Sequence, residues 1–451
     1  MAKKKIYWLE EKGKVIRDPI WSYIYITKEV ERLIDTREFQ KLRHISQLGH
    51  VELVYPGARH SRFEHSLGVY HLAKFFLRQL MSSDPPLVID EEDIATFLAA
   101  ALIHDIGHYP YSHILEEIQV FFQDHEERGR KIILDPKGEL SHVLCEVWGV
   151  DPRRVANIID YKGKNIPERD LRLARILSGT LDPDKIDYLL RDSRYCGVPF
   201  GEAVNKDRLI QSIVYDAEND GLAISHKGIS AIEALIFTNY LMYRNVYWHH
   251  GVRSSVVMFK LIVSELLRHP DNGLTEKDFY LISEYELQSL LKRRLAELKM
   301  KDLLNLLQNI EKRKLYKRGL VFYAWELSRK ETHLFYDFYQ NPELKRTREQ
   351  CLCGEIGRKI RKKLHGHEIL IDIPKFGKSL QIDLRVFMPE DVCVRKKNPF
   401  TFDDYEVTQL KKHLVDNFEN YAKTFHVFYH PDFPEIKKKL SKREILLEVR
   451  E

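Results

Sequence analysis

The sequence DEEDIATFLAAALIHD, residues 90–105, gives the clearest indication of how this chain folds. Asp90 is a typical helix N-cap residue, and the acidic side chains that follow it offset the partial positive charge of a helix N-terminus. Apolar residues then recur three and four positions apart, which indicates a buried helix. At its far end this helix delivers His104 and Asp105 side by side.

The same helical periodicity runs through most of the first 265 residues. Its segments are Lys28–Leu48, Phe63–Leu80, Pro183–Ser193 and Ile229–Leu266. Beyond residue 275, charged helical stretches at 290–299 and 301–313 precede strand-like runs at 368–373, 380–384 and 425–429, with a helix over 404–423 before the last run. We therefore predict a mainly α protein. A helical domain over residues 1–265 carries a smaller α+β region over residues 266–451, which packs on it and takes part in oligomerisation.

The composition narrows the class of protein. The 451 residues include 72 Lys plus Arg and 67 Asp plus Glu, a net charge of +5 that is too small to identify a partner. The start of the chain lacks a secretory signal, and no apolar stretch approaches the roughly 18 residues of a membrane-spanning helix. Five cysteines without a CxxC pair argue against a disulfide framework and a zinc ribbon. We expect a cytoplasmic protein with no membrane partner.

Histidines cluster in one part of the chain, since eight of the 20 lie between residues 44 and 113. Neighbouring helical residues point about 100° apart, so a metal ion between their directions can use both His104 and Asp105. His65 and Asp184, on two other predicted helices, can complete the site. Two imidazoles and two carboxylates suit Mg, Mn, Fe, Zn, Co or Ni. The alternative is a His-Asp pair satisfied within the core.

A set of motifs in a fixed order extends over residues 14–255. It resembles the deoxynucleoside triphosphate triphosphohydrolases, a branch of the HD-domain metal-dependent phosphohydrolases, and so implies an HD-domain helical core. The motifs are Asp35-Thr36 to Gln40-Lys41-Leu42-Arg43, Gln47-Leu48-Gly49, Tyr55-Pro56-Gly57-Ala58, Arg62-Phe63-Glu64-His65-Ser66-Leu67-Gly68-Val69, His104-Asp105-Ile106-Gly107-His108 to His113, His125-Glu126, and Asp184-Lys185-Ile186-Asp187-Tyr188 to Arg191-Asp192.

The resemblance also assigns the fourth metal ligand. In the family this ligand is the aspartate that precedes a lysine, which matches Asp184 rather than Asp187. We interpret Asp187 as half of a helix-surface ion pair with Arg191, four residues later.

The resemblance implies attack at the α-phosphorus and release of a deoxynucleoside and inorganic triphosphate. Arg62, His108 and His125 are expected to face the α-phosphate, with Glu126 orienting His125. A histidine is a natural general acid near neutral pH, and the motif position assigns this role to His113. The alternative for each histidine is a solvent-facing or helix-capping role, which we prefer for four others: His44, His50, His60 and His71.

Six residues are implied at the rest of the substrate: Gln47, Leu48, Lys185, Tyr188, Asp192 and Tyr247. Lys185 is expected to serve the outer phosphates, together with Tyr188. Gln47 and Asp192 are expected at the 3′-hydroxyl. Leu48 and the two tyrosines would crowd the 2′ position, which favours deoxynucleotides.

Four further residues match positions that bind an activating guanine nucleotide, GTP or dGTP, in regulated members of the family. Asp35 and Gln40 can pair with a guanine edge, and Lys14 and Arg43 can hold phosphates. The alternative is ordinary helix capping at Asp35 and a solvated basic face. Activation in the family works through tetramers, so the resemblance implies a homotetramer.

Two other functions stay open from the sequence. One is a different HD phosphohydrolase, namely a nucleotidase, a phosphodiesterase or an alarmone hydrolase. The other is a nucleotide- or nucleic-acid-binding protein whose metal site is not catalytic. The nature of the reaction products, and the effect of replacing Asp105 on turnover, distinguish these functions from dNTP hydrolysis.

Overall fold

The computed structural model describes residues 6–118, 121–374, 384–388, 400–402, 422 and 424–446. Its first helices are α1 (Lys28–Ile34), α2 (Arg37–Gln40), α3 (Arg62–Leu80), α4 (Glu91–Ile103), α5 (Ser112–Glu116), α6 (His125–Ile133), α7 (Glu139–Val143), α8 (Pro152–Ile159), α9 (Glu168–Leu177) and α10 (Pro183–Cys196). They are followed by α11 (Lys206–Gln211), α12 (Ile229–Met242), α13 (His250–Arg268), α14 (Glu284–Glu297), α15 (Lys301–Glu311), α16 (Arg329–Gln340), α17 (Pro342–Ile360), α18 (Glu435–Lys439) and α19 (Lys442–Leu446). Within these described ranges, no helix has both the length and the apolar character that crossing a membrane requires.

Three helices form the centre of the first half of the chain, because α3 packs against both α4 and α10. The start of α3 is defined by a capping box, in which the Glu64 carboxylate accepts a hydrogen bond from the Ser61 backbone at 2.8 Å. As predicted, α4 begins after Asp90, whose carboxylate accepts from the Asp93 backbone at 2.8 Å. The mainly α fold predicted from periodicity is confirmed.

Two predicted helical segments are broken in the structure. Over residues 28–48, α1 ends at Ile34, and the Thr36 hydroxyl then caps α2 by accepting from the Phe39 backbone. Over residues 229–266, a π-helical turn at Tyr243–Tyr247 follows α12, and His249 caps α13. In both places a side chain competes with the helix for backbone hydrogen bonds, which apolar periodicity alone does not reveal.

The nine described strands form three small sheets. They are β1 (Lys14–Asp18), β2 (Ser22–Ile26), β3 (Ile213–Asp216), β4 (Gly221–Ser225), β5 (Lys317–Tyr323), β6 (Ile369–Asp372), β7 (Arg385–Phe387), β8 (Phe400–Thr401) and β9 (Thr424–Tyr429). An antiparallel hairpin joins β1 and β2, the order β3-β4-β7-β8 makes a mixed sheet, and β5-β9-β6 is antiparallel.

Two hydrophobic cores underlie this arrangement. The larger core takes residues from Leu9 to Tyr316 together with a few from later strands, and the smaller takes residues from Phe322 to Ile445. The predicted strands at 368–373 and 425–429 correspond to β6 and β9. Residues 380–383 and, apart from Ala422, the helix predicted over 404–423 lie outside the described residues. The division into domains at residues 265 and 266 stays a prediction.

Candidate metal and phosphate site

The four residues predicted as metal ligands come together where α3, α4 and α10 meet. His65 lies on α3, His104 and Asp105 directly follow α4, and Asp184 lies in the first turn of α10. His65 Nε2 is 2.9 Å from Asp184 Oδ1 and 3.9 Å from Asp105 Oδ2. His104 Nε2 is 3.3 Å from Asp105 Oδ1 and 3.8 Å from Asp184 Oδ1. Donor atoms of His65, His104 and Asp105 lie within 4.8 Å of one another, so one ion can reach all three, and Asp184 Oδ1 lies beside both histidines.

The hydrogen bonds of the two histidines direct their Nε2 atoms into this cluster. His104 Nδ1 lies 2.9 Å from the Ala101 carbonyl, and His65 Nδ1 lies 2.8 Å from Asp187 Oδ2. Because both of these oxygens only accept, each Nδ1 carries a proton and each Nε2 faces the cluster. Among the described residues, His104 Nε2 is buried without a well-directed hydrogen bond.

The electrostatics of the cluster fit a divalent cation. Burial alone would lower the pKa of His65, but hydrogen bonds with Asp184 and Asp187 raise it to about 10. Burial would raise the pKa of Asp184, but His104 and His65 hold it well below its ordinary value. The negative charges of Asp105 and Asp184 therefore favour a cation between these side chains. The two histidines and Asp105, with Asp184 beside them, suit the same first-row ions and magnesium that the sequence suggested.

The interpretation of Asp187 as a surface residue is wrong. Asp187 and Arg191 are fully buried, with Arg191 Nε 2.8 Å from Asp187 Oδ2 and Nη2 2.9 Å from Oδ1. Gly68 makes room for them on α3, because a Cβ there would lie 1.9 Å from Asp187 Oδ1. Asp187 thus orients a candidate metal ligand. A glycine three residues after His65 was the sequence signal for this close packing.

A carboxylate that sequence reasoning missed organises the three predicted phosphate-site histidines. Glu116 Oε1 lies 3.2 Å from both His108 Nδ1 and His125 Nδ1, and Glu116 Oε2 lies 3.0 Å from His113 Nδ1. The rings of His108 and His125 stack with their centroids 3.9 Å apart. Glu126, the predicted partner of His125, is slightly farther from its Nδ1, at 3.4 Å. The spacing of Glu116 from His113 on α5 was its only sequence signal.

Asp105 connects the metal-ligand cluster with these histidines. Arg62 Nη1 donates to Asp105 Oδ2 at 2.7 Å and Arg62 Nε donates to the Ser112 hydroxyl at 2.9 Å. Arg62 Nη2 is buried and has no partner among the described residues. His108 Nε2 lies 3.2 Å from Asp105 Oδ1. The arginine therefore keeps one donor for an anion.

Protonation differs within the stacked pair of histidines. Burial, Arg62 and His125 lower the pKa of His108 to about 3, so this ring is neutral near pH 7. Burial would lower the pKa of His125 as well, but Glu116 raises it. Of the two rings, His125 is thus the one in which the cationic form is favoured.

A cavity of about 760 Å³ opens beside this cluster. Five of the six predicted substrate residues line it together with His113: Gln47, Leu48, Tyr188, Asp192 and Tyr247. The sixth, Lys185, holds Asp182 Oδ2 at 2.5 Å and the Gly179 carbonyl at 2.8 Å. Gln47 Oε1 is buried without a partner among the described residues, so it offers an acceptor to a ligand.

His60 is not the solvent-facing or capping residue that we expected. It is buried, stacks on Tyr195, and places Nε2 2.8 Å from Asp192 Oδ1. The Tyr247 hydroxyl donates to the other oxygen of Asp192 at 2.6 Å. His50 and His71 are also buried. Asp192 is therefore held on both oxygens at the wall of the cavity.

The predicted regulatory residues lie on the N-terminal surface. Gln40 Nε2 donates to the Ile34 carbonyl beside Asp35, and Arg43 Nε donates to Gln40 Oε1, each at 2.8 Å. Lys14, at the start of β1, pairs with Glu31 on α1. The guanidinium of Arg43 stacks 3.5 Å from the centre of the Phe63 ring, next to Arg62.

Two family models match separate parts of the chain. A family model described as an HD domain matches residues 62–190, which include all four candidate metal ligands. A second, described as an HD associated region, matches residues 204–397.

Proteins of other organisms are similar in sequence to part of this chain. The uncharacterized protein YwfO of Bacillus subtilis is 38% identical over 58% of this chain and 57% of its own length. The uncharacterized protein MJ1154 of Methanocaldococcus jannaschii is 34% identical over 71% of this chain and 63% of its own. A Dictyostelium discoideum protein named deoxynucleoside triphosphate triphosphohydrolase SAMHD1 homolog is 30% identical over 69% and 61%. The chain thus spans about three fifths of the length of these curated relatives.

Solved structures share the fold over nearly the whole chain. A hypothetical protein from Aquifex aeolicus superposes with a TM-score of 0.66 at 22% identity, covering 94% of this chain and 99% of its own. A phosphohydrolase from Bacteroides thetaiotaomicron gives 0.67 at 23% identity, covering 92% and 99%. The chain therefore contains an HD domain at residues 62–190, followed by an HD-associated region at residues 204–397.

Proposed function

We propose that this protein is a divalent-metal-dependent phosphohydrolase that converts deoxynucleoside triphosphates into deoxynucleosides and inorganic triphosphate. The observation that carries the proposal is the position of Asp105. This candidate metal ligand lies beside His104 and also contacts the Arg62 and His108 side chains. The residues that would hold the metal ion, and with it a nucleophilic water, thus lie directly beside the residues that would bind a phosphate. Hydrolysis of a phosphate ester needs this arrangement.

Different residues of this chain suit the α-phosphate and the outer phosphates. When bound, a divalent cation supplies water acidic enough to attack near neutral pH and offsets phosphate charge. Arg62 Nη2 and the cationic His125 suit the oxygens of the α-phosphate, since charge-assisted hydrogen bonds are the strongest kind available to them. Lys185 suits the outer phosphates once it leaves Asp182.

His113 suits the proton transfer to the leaving 5′-oxygen. It lines the cavity, and because Glu116 holds its Nδ1, its Nε2 is left for the substrate. Donation from this atom would avoid a free alkoxide as the bond between the phosphorus and the 5′-oxygen breaks.

The walls of the cavity favour a deoxyribose. Gln47 Oε1 and the doubly held Asp192 offer acceptors to a 3′-hydroxyl. Leu48 and the ring of Tyr188 add apolar surface, against which a 2′-hydroxyl would lose water without gaining a partner, at a cost of about 1–3 kcal/mol. The printed name of the Dictyostelium relative supports the same substrate class.

Activation by GTP or dGTP through a homotetramer is part of the proposal. It is supported by the exposed Asp35, which lies beside the Gln40–Arg43 pair, and by Lys14 on the neighbouring hairpin. A nucleotide bound there would contact Arg43, whose guanidinium stacks on Phe63 in the first turn of α3.

Product analysis tests the proposal. The full chain, loaded with Mn²⁺, Mg²⁺ or Co²⁺, is incubated with each dNTP and NTP, with and without GTP, and the products are separated by ion-exchange chromatography. Deoxynucleoside plus triphosphate is expected. Monophosphate plus pyrophosphate, or no turnover of any dNTP, would contradict it.

A matched pair of variants ties the activity to the site. Asp184→Asn is expected to abolish turnover, whereas Asp207→Asn, an exposed aspartate in the first turn of α11, is expected to leave it unchanged. Equal activity of the two variants would remove the metal cluster from the reaction.

A further inference from the structure

The N-terminal hairpin reaches the interior of the HD domain through its turn. Asp18 Oδ1 accepts hydrogen bonds from the backbones of Ile20 and Trp21, each at 2.8 Å, which shapes the turn between β1 and β2. Asp18 Oδ2 accepts from Arg191 Nη1 at 2.7 Å. A segment at the start of the chain is thereby fixed to α10.

The indole of Trp21 contacts the carboxylate that orients a candidate metal ligand. Trp21 Nε1 donates to Asp187 Oδ1 at 2.5 Å, and Trp21 is only 8% exposed. The other oxygen, Asp187 Oδ2, faces His65 Nδ1 and Arg191 Nε, each at 2.8 Å. Three elements therefore converge on one buried carboxylate.

We propose that Trp21 is a positioning residue for the metal ligand His65, acting through Asp187 to strengthen divalent-cation binding. The inference rests on the metal site of the proposed function. The orientation of a ligating imidazole, and which of its nitrogens carries the proton, are set by the partner of its other nitrogen, and losing such a partner typically costs 10- to 100-fold in metal affinity.

The indole adds a restraint that Arg191 alone does not supply. Arg191 lies on α10 together with Asp187, so their ion pair moves with that helix. Trp21 belongs to the separate hairpin, and its N–H determines how the carboxylate is turned relative to α3, on which His65 lies. Without that hydrogen bond, the Asp187 carboxylate keeps only Arg191 and His65 as hydrogen-bond partners among the described residues, and it loses its restraint from the hairpin.

Mn²⁺ titration of the metal-stripped full chain, followed by electron paramagnetic resonance, tests this role. Trp21→Phe is expected to weaken Mn²⁺ binding about tenfold and to change the visible spectrum of the Co²⁺-loaded protein. Trp148→Phe is the matched control. Trp148 is also buried and donates to the Glu29 carbonyl at 2.9 Å, away from the metal cluster. The Mn²⁺ affinity and the Co²⁺ spectrum of the Trp148→Phe variant are expected to equal those of the wild type.

A second substitution distinguishes the effect of the Trp21 N–H from the effect of the packing of its ring. β-(3-Benzothienyl)alanine at position 21 keeps the shape of the indole but has no N–H, so it is expected to reproduce the loss in affinity while the metal-free protein melts as the wild type does. Wild-type affinity in this variant would overturn the inference.

A failure of the metal site itself gives a different result. His65→Gln is expected to abolish Mn²⁺ binding. If the wild type binds Mn²⁺ no better than His65→Gln, the proposed function fails with the site. If the wild type binds and both position-21 variants bind equally well, only the role of Trp21 is wrong.

Discussion

The Glu116 carboxylate sets how much positive charge the site presents to a phosphate. It raises the pKa of His125 against the effect of burial, while His108, stacked on that ring, stays neutral. At the scale of single residues, the site therefore combines an imidazole in which the cationic form is favoured, a neutral imidazole and the free donor of Arg62. A second cationic ring stacked on the first would be repelled by it.

Glu116→Gln is expected to lower the pKa of His125, so that its positive charge is lost at a lower pH. The alkaline fall of kcat/KM then moves toward lower pH by about one unit, and activity near pH 8 falls on the order of tenfold. Glu127→Gln, on the exposed side of α6, is the control. A pH profile of kcat/KM that matches the wild type would refute this role of Glu116.

His113→Gln tests the proton donor. We expect kcat to fall roughly 10²- to 10⁴-fold with little change in KM, because the side chain acts on the leaving oxygen rather than on binding. His142→Gln, at an exposed position on α7, should leave both constants unchanged. A loss confined to KM would make His113 a binding residue instead. Steady-state kinetics with a dNTP decide between these outcomes.

Close packing between α3 and α10 is the decisive feature at the scale of elements. Gly68 faces the buried Asp187–Arg191 pair, and an added Cβ would lie 1.9 Å from Asp187 Oδ1 and 2.5 Å from Arg191 Nη2. These two helices carry His65 and Asp184. Their separation therefore sets the geometry of the metal site.

Gly68→Ala is expected to destabilise the fold by about 1–3 kcal/mol, the usual cost of overpacking a core. Gly354→Ala on the exposed side of α17, where a Cβ meets nothing within 4 Å, should instead stabilise by roughly 0.5–1 kcal/mol, since alanine loses less backbone entropy in a helix. Urea denaturation measures both values. The same sign for the two variants would contradict the packing argument.

At the scale of the whole molecule, the buried Arg253–Asp372 ion pair joins the two cores. Arg253 on α13 donates to both oxygens of Asp372 on β6, at 2.8 and 2.6 Å. Residues of α13 pack in the larger core, whereas Ile369 and Ile371 of β6 pack in the smaller one. Lys260, also on α13, reaches Glu117 of the HD domain at 2.7 Å.

Asp372→Asn is expected to cost about 3–5 kcal/mol, because it removes the nearest counterion of the buried Arg253 and leaves only Glu117, whose Oε2 lies 3.8 Å from Arg253 Nη2. Burial would raise the pKa of Asp372, but Arg253 holds it below the ordinary 3.8. The pair's stabilisation is thus present above about pH 4 and is lost as the pH falls. The variant should lack that acid-side loss in urea denaturation across pH. The exposed Asp432→Asn, beside Lys314, should cost about 1 kcal/mol or less.

Local rules predicted the elements that carry the site. The Asp90 cap, the apolar spacing of α4 and the Pro183 start of α10 depend on neighbours within one or two turns, so they are visible in the chain. Motif order supplied the grouping of His65 with His104 and Asp105, which the structure also brings together. The breaks at Thr36 and His249 were missed because a single side-chain cap outweighed a continuing apolar period.

Motif spacing and helix periodicity are local properties, so they indicated which residue types meet at the metal-ligand cluster. Tertiary structure alone decided the roles of Glu116, Asp187 and His60. Each is a charged or polar group whose partners include a residue of another element, and the indole that holds Asp187 lies 166 residues away in the chain. Burial makes such contacts strong, and burial is a property of the packed molecule rather than of any stretch of its sequence.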